Sequence, residues 1–532
     1  MSFCKANEAK SGLTIEYSKS EPSLSASAIA CERRRVSRAN HNHRLNGYTF
    51  PELSREKLKM GWWLYLTLVV AAAHAQETCL SVNENPYLLF GSKTAYLFAN
   101  NNVPVNRIHD VPGCQPIAFW LAYRHGASNP TESEIPELKK LSDFKNNILN
   151  NYRSGNFRNT NQRICASDVN LISQWEWNSR INSTFAGNLT SEGYMTTQQQ
   201  AQSWKQRYPG LLTDNPHDYL IKYVDDEISG STFRAFTEGI FRTQAENYDF
   251  PKEMNEKKLK PYKSCEKWKN EVEDNNDTLT QKRIFQSKQE FREMITNVSL
   301  RLGFNYDIHP TLVYNMYQMC RYNKAWDISS VSPWCSVFTR EDLKRYEYAE
   351  DLETFYKYGY ASDLSPKVGC SMLNDMVAFL TKHAEHEQPQ QPKAQIQLTD
   401  SEMLLMLLRT MGTNQDPAPL TGDNYHTNTA QNRKWSTSLL APYNANFAAV
   451  LYKCTSNGNF QIKDRYQVLF LHNEKPVVLE GCRVGLCDWS LVIQRFGELA
   501  NKCDLQFCNG AKSVQSWGIV ALVTLVLLKV AL

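Results

Sequence analysis

One apolar run, Ile117 to Ala122, leads directly into a polar loop, and this junction constrains the fold more than any other feature of the chain. The turn Gly113-Cys-Gln-Pro116 precedes the run, and Tyr-Arg-His-Gly-Ala-Ser-Asn-Pro-Thr follows it at 123–131. A short, continuously apolar run bounded by turn residues is typical of a buried strand. The sequence therefore predicts a buried strand that ends in an Arg-His-Gly turn.

Further strands and helices alternate along the chain. Strand patterns lie at 221–224, 394–398, 447–452 and 466–471, with a turn at 473–475. Helical patterns lie at 134–152, 189–208, 370–386 and 403–408. Residues 252–300 are rich in Lys and Glu and are interpreted as solvated helices, whereas 301–360 are aromatic-rich helices. This interleaving predicts an α/β core with an α-rich insertion.

Length and charge narrow the class of protein. The chain has 532 residues, a hydrophobic content of 42% and a formal net charge of +4. This length allows more than one domain, or a core with a large insertion. No long basic stripe is present, which argues against nucleic acid as the main partner.

The cysteines indicate an oxidising compartment. There are 14 of them, and twelve lie between Cys79 and Cys508. No Cys-x-x-Cys pair or Cys/His cluster has the spacing of a zinc site, so we expect no bound metal. The sequence predicts a disulfide-bonded protein of the secretory pathway, although the pairing cannot be derived from it.

Both ends of the chain carry targeting signals. Lys57 and Lys59 precede the apolar segment that follows Met60, and the small-x-small signal at 73–75 makes Gln76 a plausible mature start. Residues 60–75 are therefore predicted to be a signal peptide, and 1–59 a disordered or non-native extension. If residues 1–59 are translated, the same apolar segment could act as a signal anchor.

The C-terminal residues 509–532 resemble a GPI-attachment signal. Small residues at 509–511 and a short polar spacer precede an apolar tail from Trp517 to Leu532. A short tail anchor or a buried helix is the alternative. We therefore expect an extracellular or cell-surface protein, attached to the membrane through this tail. Four glycosylation sequons, at Asn182, Asn188, Asn276 and Asn297, fit a glycoprotein.

The segment 113–131 resembles the active-site strand and loop of the multiple inositol polyphosphate phosphatases, in the histidine acid phosphatase branch of the histidine phosphatase superfamily. Further similar segments follow in the same order, at 332–338, 356–360, 419–421, 446–454 and 473–475. The resemblance implies an α/β fold with a parallel-sheet three-layer core, at 76–245 and 366–508. It also implies an α-helical cap insertion at 246–365.

The resemblance assigns roles to three residues of the loop. His125 matches the nucleophile that becomes phosphorylated, and Arg124 matches the first phosphate-binding arginine. A planar guanidinium suits this task because it donates to two phosphate oxygens at once. Gly126 is expected to let substrate approach the backbone. The family chemistry needs no cofactor.

Two further arginines of the family pattern are missing. Ser128 occupies the position of the second, and Ile228 that of the third. Arg234 lies near Ile228 and is a candidate substitute, with a surface helix residue as the alternative. Lys93, within Gly-Ser-Lys-Thr at 91–94, is another candidate phosphate-binding residue or else a surface lysine.

The distal His-Ala-Glu motif of the family has two possible counterparts. A literal His383-Ala-Glu385 lies at a helix end before a Pro/Gln-rich linker, where a solvated helix face is expected. Asp400-Ser-Glu402 instead follows a strand and opens an apolar helix, as the family motif does. We predict that Glu402 is the proton donor and that Asp400 replaces the histidine. Residues 399–402 also fit a capping box, so Glu402 could be a cap, a proton donor or both.

These assignments predict hydrolysis of inositol polyphosphates, or of other phosphomonoesters, through a phosphohistidine, with strongly impaired activity. Loss of one preorganised donor typically costs about 10²–10³ in rate. The Asp400 carboxylate would also repel phosphate unless it is protonated or paired. The alternative is a catalytically inactive cell-surface glycoprotein, a pseudophosphatase that binds a ligand or is purely structural.

Overall fold

The computed structural model describes residues 79–83, 87–100, 111–155, 157, 163–386, 389–455, 464–483 and 485–509. The predicted N-terminal extension, signal peptide and, beyond Asn509, GPI-type segment lie outside these residues and stay predictions. In the described ranges, none of the helices combines the length and the apolar character that a membrane span requires.

An eight-stranded mixed sheet forms the centre of the described chain. Its strands are β1 (Cys114–Arg124), β2 (Tyr219–Lys222), β3 (Lys252–Glu253), β4 (Ala394–Thr399), β5 (Asn446–Cys454), β6 (Tyr466–His472), β7 (Lys475–Pro476) and β8 (Leu486–Asp488). The spatial order is β3-β2-β4-β1-β5-β6-β7, and β8 pairs with β6.

The first four strands are mutually parallel, as the predicted core requires. From β5 onward the pairing is antiparallel, which the prediction of a parallel sheet does not include. The change occurs between β1 and β5, which are far apart in sequence. The β6–β7 pair is antiparallel for a local reason, because neighbouring strands joined by a short turn run in opposite directions. Asn473 and Glu474, both with positive φ, form such a turn between β6 and β7.

Strand β1 is buried on both faces, which accounts for its uninterrupted apolar run. Ala118, Trp120 and Ala122 belong to one hydrophobic cluster, and the alternate residues Phe119, Leu121 and Tyr123 belong to another. Successive side chains of a strand point to opposite faces, so the two clusters lie on the two sides of the sheet. The three-layer prediction is therefore confirmed.

Ten helices of eight or more residues are present in the described ranges. They are α1 (Leu141–Ser154), α2 (Ala166–Gln174), α3 (Ser191–Arg207), α4 (Glu227–Phe241), α5 (Thr280–Ser287), α6 (Gln289–Arg301), α7 (Pro310–Trp326), α8 (Arg340–Lys357), α9 (Ser365–Glu385) and α10 (Ser401–Thr410). Trp204 of α3 and Phe236 of α4 pack on one face of the sheet, and Met376 of α9 and Leu404 of α10 lie in the cluster on the other.

Shorter α-helices and 3-10 or π turns connect these elements. The α-helical segments are Leu80–Asn83, Tyr96–Ala99, Glu134–Lys139, Glu256–Leu259, Glu266–Trp268, Asn428–Gln431, Thr437–Leu440, Trp489–Val492 and Glu498–Asn501.

The helical insertion is less solvated at 252–300 than its sequence indicates. Phe291, Met294, Ile295 and Val298 are buried along one face of α6, at helical spacing. Lys260, in the Lys/Glu-rich part of this stretch, is also buried. Because charged residues dominate the composition of this stretch, its apolar helix face is not evident from the sequence. The prediction of solvated helices is therefore wrong.

All twelve cysteines between Cys79 and Cys508 form disulfides, which confirms the prediction that the chain is disulfide-bonded. The pairs are Cys79–Cys165, Cys114–Cys454, Cys265–Cys508, Cys320–Cys335, Cys370–Cys503 and Cys482–Cys487.

The sheet brings two distant loops together. In the register between β1 and β4, Arg124 pairs with Thr399. Because parallel strands end at the same edge of a sheet, His125 and Asp400 leave the sheet side by side. The site is built at this edge.

Candidate active site

His125 is the first residue after β1, and its backbone is held on both sides. Its N–H faces the carbonyl oxygen of Thr399 at 3.4 Å, and its own carbonyl oxygen accepts a hydrogen bond from the N–H of Asn444 at 3.0 Å. The loop is therefore fixed to β4 and to the segment that precedes β5.

The imidazole of His125 is held in one tautomer. Its Nδ1 lies 2.9 Å from the carbonyl oxygen of Gly126, and because a carbonyl only accepts, Nδ1 carries the proton. Burial, reinforced by the charge of Arg124, lowers the pKa of His125 to about 3. Near neutral pH the ring is therefore uncharged, and Nε2 holds its lone pair. Among the described residues, Nε2 has no hydrogen-bond partner.

Arg124 is buried at the end of β1 in a fixed orientation. Its Nη1 donates to the carbonyl oxygens of Ser92, at 2.5 Å, and Ala441, at 2.7 Å. The guanidinium lies 4.8 Å from the ring centre of Tyr443, close enough for a cation–π contact. Its Nε is buried and has no partner in the described part of the chain. The contacts fix the guanidinium plane and leave this donor unused.

Gly126 allows the loop to pack on helix α3. A Cβ atom at this position would lie 2.4 Å from the carbonyl oxygen of Gly193, far inside van der Waals contact. The role predicted for Gly126 from sequence, to let substrate approach the backbone, stays a prediction. The structure gives a different reason for a glycine here, which is the close contact of two backbones.

Ser128 supports an aromatic ring where the family pattern has an arginine. Its side chain is buried and hydrogen-bonds Tyr443, the ring beneath Arg124. Its carbonyl oxygen accepts from the indole N–H of Trp326 at 3.1 Å. Ser128 therefore helps to position Arg124 but adds no positive charge. Ile228, at the third arginine position, is half-buried in the first turn of α4.

The helix that follows β4 is capped by Asp400. Its Oδ1 accepts from the N–H of Met403 at 3.1 Å. The proposed capping box, with Thr399 as the cap and Glu402 as its acid, is therefore wrong. A cap at Asp400 leaves the Glu402 carboxyl free of that role.

Asp400 is also paired, which changes the expected repulsion of phosphate. Its Oδ2 accepts from the hydroxyl of Tyr262 at 2.7 Å and lies 3.5 Å from the ammonium of Lys260. Although burial acts to raise it, Lys260 and the Tyr262 hydrogen bond hold the pKa of Asp400 below its ordinary value. The carboxylate is charged, but a cation offsets its charge.

Glu402 has the properties of a proton donor. Burial first, and then the neighbouring charge of Asp400, raise the pKa of Glu402, whereas Arg124 opposes this rise. The hydroxyl of Ser401 donates to its carboxyl at 2.9 Å. The carboxyl therefore keeps its proton to a higher pH than a solvated glutamate does.

Lys93 is not a surface lysine, and its ammonium already has hydrogen-bond partners. Its ammonium donates to Glu134 at 3.0 Å and to Gln318 at 2.9 Å. It also lies 4.5 Å from the ring centre of Tyr322. Burial lowers its pKa. These contacts hold the Lys93 ammonium against Glu134 and Gln318. They do not support the predicted phosphate-binding role, which stays a prediction.

Arg234 makes contacts typical of a surface helix residue. Its side chain is 56% exposed, and its guanidinium bonds Glu227, at 3.1 Å, and Ser231, at 2.7 Å, on the same helix. A phosphate-binding role for Arg234 gains nothing from this geometry and also stays a prediction.

His383 lies at the end of α9 and is buried rather than solvated, which corrects the expected reason for discounting it. Its Nδ1 is 2.9 Å from the carbonyl oxygen of Phe379, and its Nε2 is 3.0 Å from that of Pro392. Backbone carbonyls thus surround both ring nitrogens, and Glu385 is exposed.

The four sequons differ in exposure. Asn182 and Asn276 are exposed, and Asn188 and Asn297 are half-buried. Their glycosylation stays a prediction.

Sequence reasoning missed three residues of the site, Lys260, Tyr262 and Tyr443. The first two are separated by one proline in a stretch where lysine and glutamate dominate, so no pattern distinguishes them. Tyr443 lies three residues before β5, outside the strand predicted from sequence. Only tertiary packing brings these residues to the edge of the sheet.

Comparison with known proteins places this geometry in a family context. Residues 121–467 match the histidine phosphatase superfamily, branch 2. The chain is 33% identical over 463 residues to multiple inositol polyphosphate phosphatase 1 of Drosophila melanogaster, covering 85% of this chain and 95% of that one. The Homo sapiens protein of the same name is 27% identical, covering 74% and 82%.

Two solved structures share the fold. The apo form of Bifidobacterium longum multiple inositol polyphosphate phosphatase matches with a TM-score of 0.55 at 14% identity, covering 75% of this chain and 94% of that one. The phytase from D. castellii matches with a TM-score of 0.56 at 16% identity, covering 76% and 87%.

Proposed function

The chain belongs to branch 2 of the histidine phosphatase superfamily, and from that premise we propose that it hydrolyses phosphate monoesters of inositol polyphosphates, with attenuated turnover. The substrate class comes from the names of its relatives. The observation that carries the proposal is the state of His125. Its ring is neutral and its Nδ1 donates to Gly126, so the Nε2 lone pair is available to attack phosphorus.

In the first step, Nε2 of His125 attacks the phosphorus atom, and a P–N bond forms as the ester P–O bond breaks. The departing inositol oxygen takes a proton from Glu402, whose raised pKa favours the protonated form. The products are the free alcohol and a phosphohistidine. Arg124 offers its positive charge to the phosphate oxygens.

In the second step, water attacks the phosphohistidine. The Glu402 carboxylate, which lost its proton in the first step, accepts a proton from this water, and the P–N bond breaks. Inorganic phosphate leaves, and His125 returns to its neutral form. The same carboxyl therefore acts as an acid and then as a base.

Attenuation follows from the missing guanidinium groups. Ser128 and Ile228 supply no charge where the family pattern has arginines, and each lost donor typically costs about 10²–10³ in rate. The costs need not add, because residues of one site act together. Pairing of Asp400 with Lys260 removes part of the repulsion that the sequence alone predicts.

Ligand binding without turnover is the second candidate. It is favoured by the commitment of Arg124 Nη1 to two backbone carbonyls, which reduces what this residue can donate to phosphate. In that case phosphate esters bind near His125, but no phosphohistidine forms.

Phosphate release from inositol hexakisphosphate tests the two candidates. We expect slow release by the wild-type protein and none by His125→Ala. His426→Ala, which alters a histidine that is 72% exposed, is the matched control and should retain the wild-type rate. Equal release by His125→Ala would refute the phosphohistidine route, and binding without any release would favour the second candidate.

We also propose that the protein works in the secretory pathway or at the cell surface, attached through the C-terminal segment. Its six disulfides support an oxidising compartment. Treatment of expressing cells with a phosphatidylinositol-specific phospholipase C should release a GPI-anchored protein. Retention on the cells after this treatment would contradict GPI attachment.

A further inference from the structure

Lys260 is an almost fully buried cation beside the site, and its side chain is only 4% exposed. Its ammonium lies 3.5 Å from Asp400 Oδ2 and 3.7 Å from Asp226 Oδ2. Asp400 caps the helix that carries Glu402, and Asp226 caps α4, whose first turn contains Ile228. Lys260 therefore lies between the two positions where the family pattern has a histidine and an arginine.

The ammonium of Lys260 is not saturated by these contacts. Hydrogen bonds from nitrogen to oxygen are usually 2.7–3.2 Å long, and both contacts exceed that range. An ammonium has three N–H donors, so two long contacts leave donor capacity for a third partner. Asp400 has a better partner in the Tyr262 hydroxyl, at 2.7 Å, and stays hydrogen-bonded if Lys260 turns away.

The backbone around Lys260 is firmly held. Its N–H donates to the carbonyl oxygen of Glu256 at 2.8 Å, at the end of a short helix, and a proline follows it. The Tyr262 hydroxyl is hydrogen-bonded to Asp400, and Cys265 forms a disulfide with Cys508. Because the backbone is already fixed, only the side chain of Lys260 has to reorient when it binds an anion. Binding therefore costs little conformational entropy.

The charge of Lys260 acts on the reacting groups themselves. It is among the charges that lower the pKa of His125, after burial and Arg124, and it interacts with Glu402 as well as with the two aspartates. An anion placed between His125 and Glu402 would meet the same charge.

We propose that Lys260 is a second phosphate-binding cation of the site around His125, supplied by the α-helical insertion. When a phosphomonoester enters, the ammonium of Lys260 exchanges its long contact with Asp400 for a contact with a phosphate oxygen. The location of the phosphate in this inference rests on the proposed function. The exchange places one positive charge between position 228, where an arginine is missing, and position 400, where a histidine is missing. Lys260 would contact substrate directly.

Binding of inorganic phosphate, measured by calorimetry in an Asp400→Asn background, tests the inference without turnover. Asparagine keeps the helix cap and removes the charge, so a second substitution at Lys260 leaves no unpaired carboxylate at 400. We expect Lys260→Met in this background to weaken phosphate binding about tenfold, the loss expected for one charge-assisted hydrogen bond. Lys260→Arg should restore most of the affinity.

Lys258→Met is the control, because this lysine comes from the same short helix but is 71% exposed. It should bind phosphate as the background protein does. Equal binding by the Asp400→Asn protein and its Lys260→Met derivative, both with unchanged thermal unfolding, would overturn the inference, as would failure of Asp400→Asn to bind phosphate. Lys260-dependent binding without ester hydrolysis would refute only the proposed function.

Discussion

Two segments of the chain resemble the distal motif of the family, and they lie in different environments in the structure. His383-Ala-Glu385 has the expected letters, but its histidine faces backbone carbonyls at a helix end and its glutamate is exposed. Asp400-Ser-Glu402 has lost the histidine, yet it follows β4 and lies beside the reactive loop. Position at the sheet edge, rather than residue identity, indicates which segment belongs to the site.

The same contrast holds for the basic residues. Arg234 is an arginine near the expected place, but it bonds residues of its own helix on the surface. Lys260 comes from the helical insertion and matches no motif, but it pairs with Asp400, which we predict to replace the family histidine. The charge beside Asp400 thus comes from an element that no motif indicates.

The largest effect should separate the two glutamates. We expect Glu402→Gln to lower the rate of inositol hexakisphosphate hydrolysis about 10²–10³-fold, because the leaving alcohol loses its proton donor. Glu385→Gln should leave the rate unchanged. Initial rates of phosphate release would measure both. A large loss in Glu385→Gln alone would reverse the comparison.

Removal of His383 should affect stability rather than chemistry. His383→Ala deletes a buried ring that contacts two backbone carbonyls, and we expect the free energy of unfolding to fall by about 2 kcal/mol. Urea unfolding measures this loss, and phosphate release by the folded variant should match the wild type. Intact stability with lost activity would mean that His383 serves the site.

The contribution of His125 and His472 to stability should fall as the pH drops below about 6.5. The pKa values of His125 and His472 are lowered to about 3 and about 4, so between these values and 6.5 the unfolded chain binds protons that the folded protein does not. Each histidine then contributes a slope of up to about 1.4 kcal/mol per pH unit.

Urea unfolding at pH 7 and pH 5 measures this slope. His125→Asn should reduce it by removing one of the two groups. Equal loss of stability by the variant and the wild type over this range would contradict a neutral His125.

The smallest effect should come from restoring a family arginine. Ile228→Arg is expected to raise phosphate affinity about twofold to fivefold, the gain typical of one partly exposed ion pair. Arg234→Gln should leave the affinity unchanged. If Arg234→Gln weakens phosphate binding more than Ile228→Arg strengthens it, Arg234 belongs to the site after all.

Local patterns predicted the sheet-and-helix framework but not its pairing. The run ending at Ala122 and the helix after Asp400 have periodicities that persist in the structure. The antiparallel half of the sheet and the disulfide pairs depend on chain reversals and distant contacts that no local pattern encodes.

The site divides in the same way. Arg124 and His125 follow from one continuous segment. The partners that set their chemistry, Lys260, Tyr262 and Tyr443, come from elements more than 130 residues away. Tyr262 could not be associated with Asp400 from sequence because the two are separated by 138 positions.

Direct detection of phosphohistidine tests the central claim. With p-nitrophenyl phosphate, whose leaving group needs no proton, Glu402→Gln should still form the P–N bond but hydrolyse it slowly, because the second step lacks its base. We predict that mass spectrometry of this variant finds a phosphoryl group on the peptide that contains His125, at a level above that of the wild type. Absence of the group from both proteins, while phosphate is released, would contradict the account.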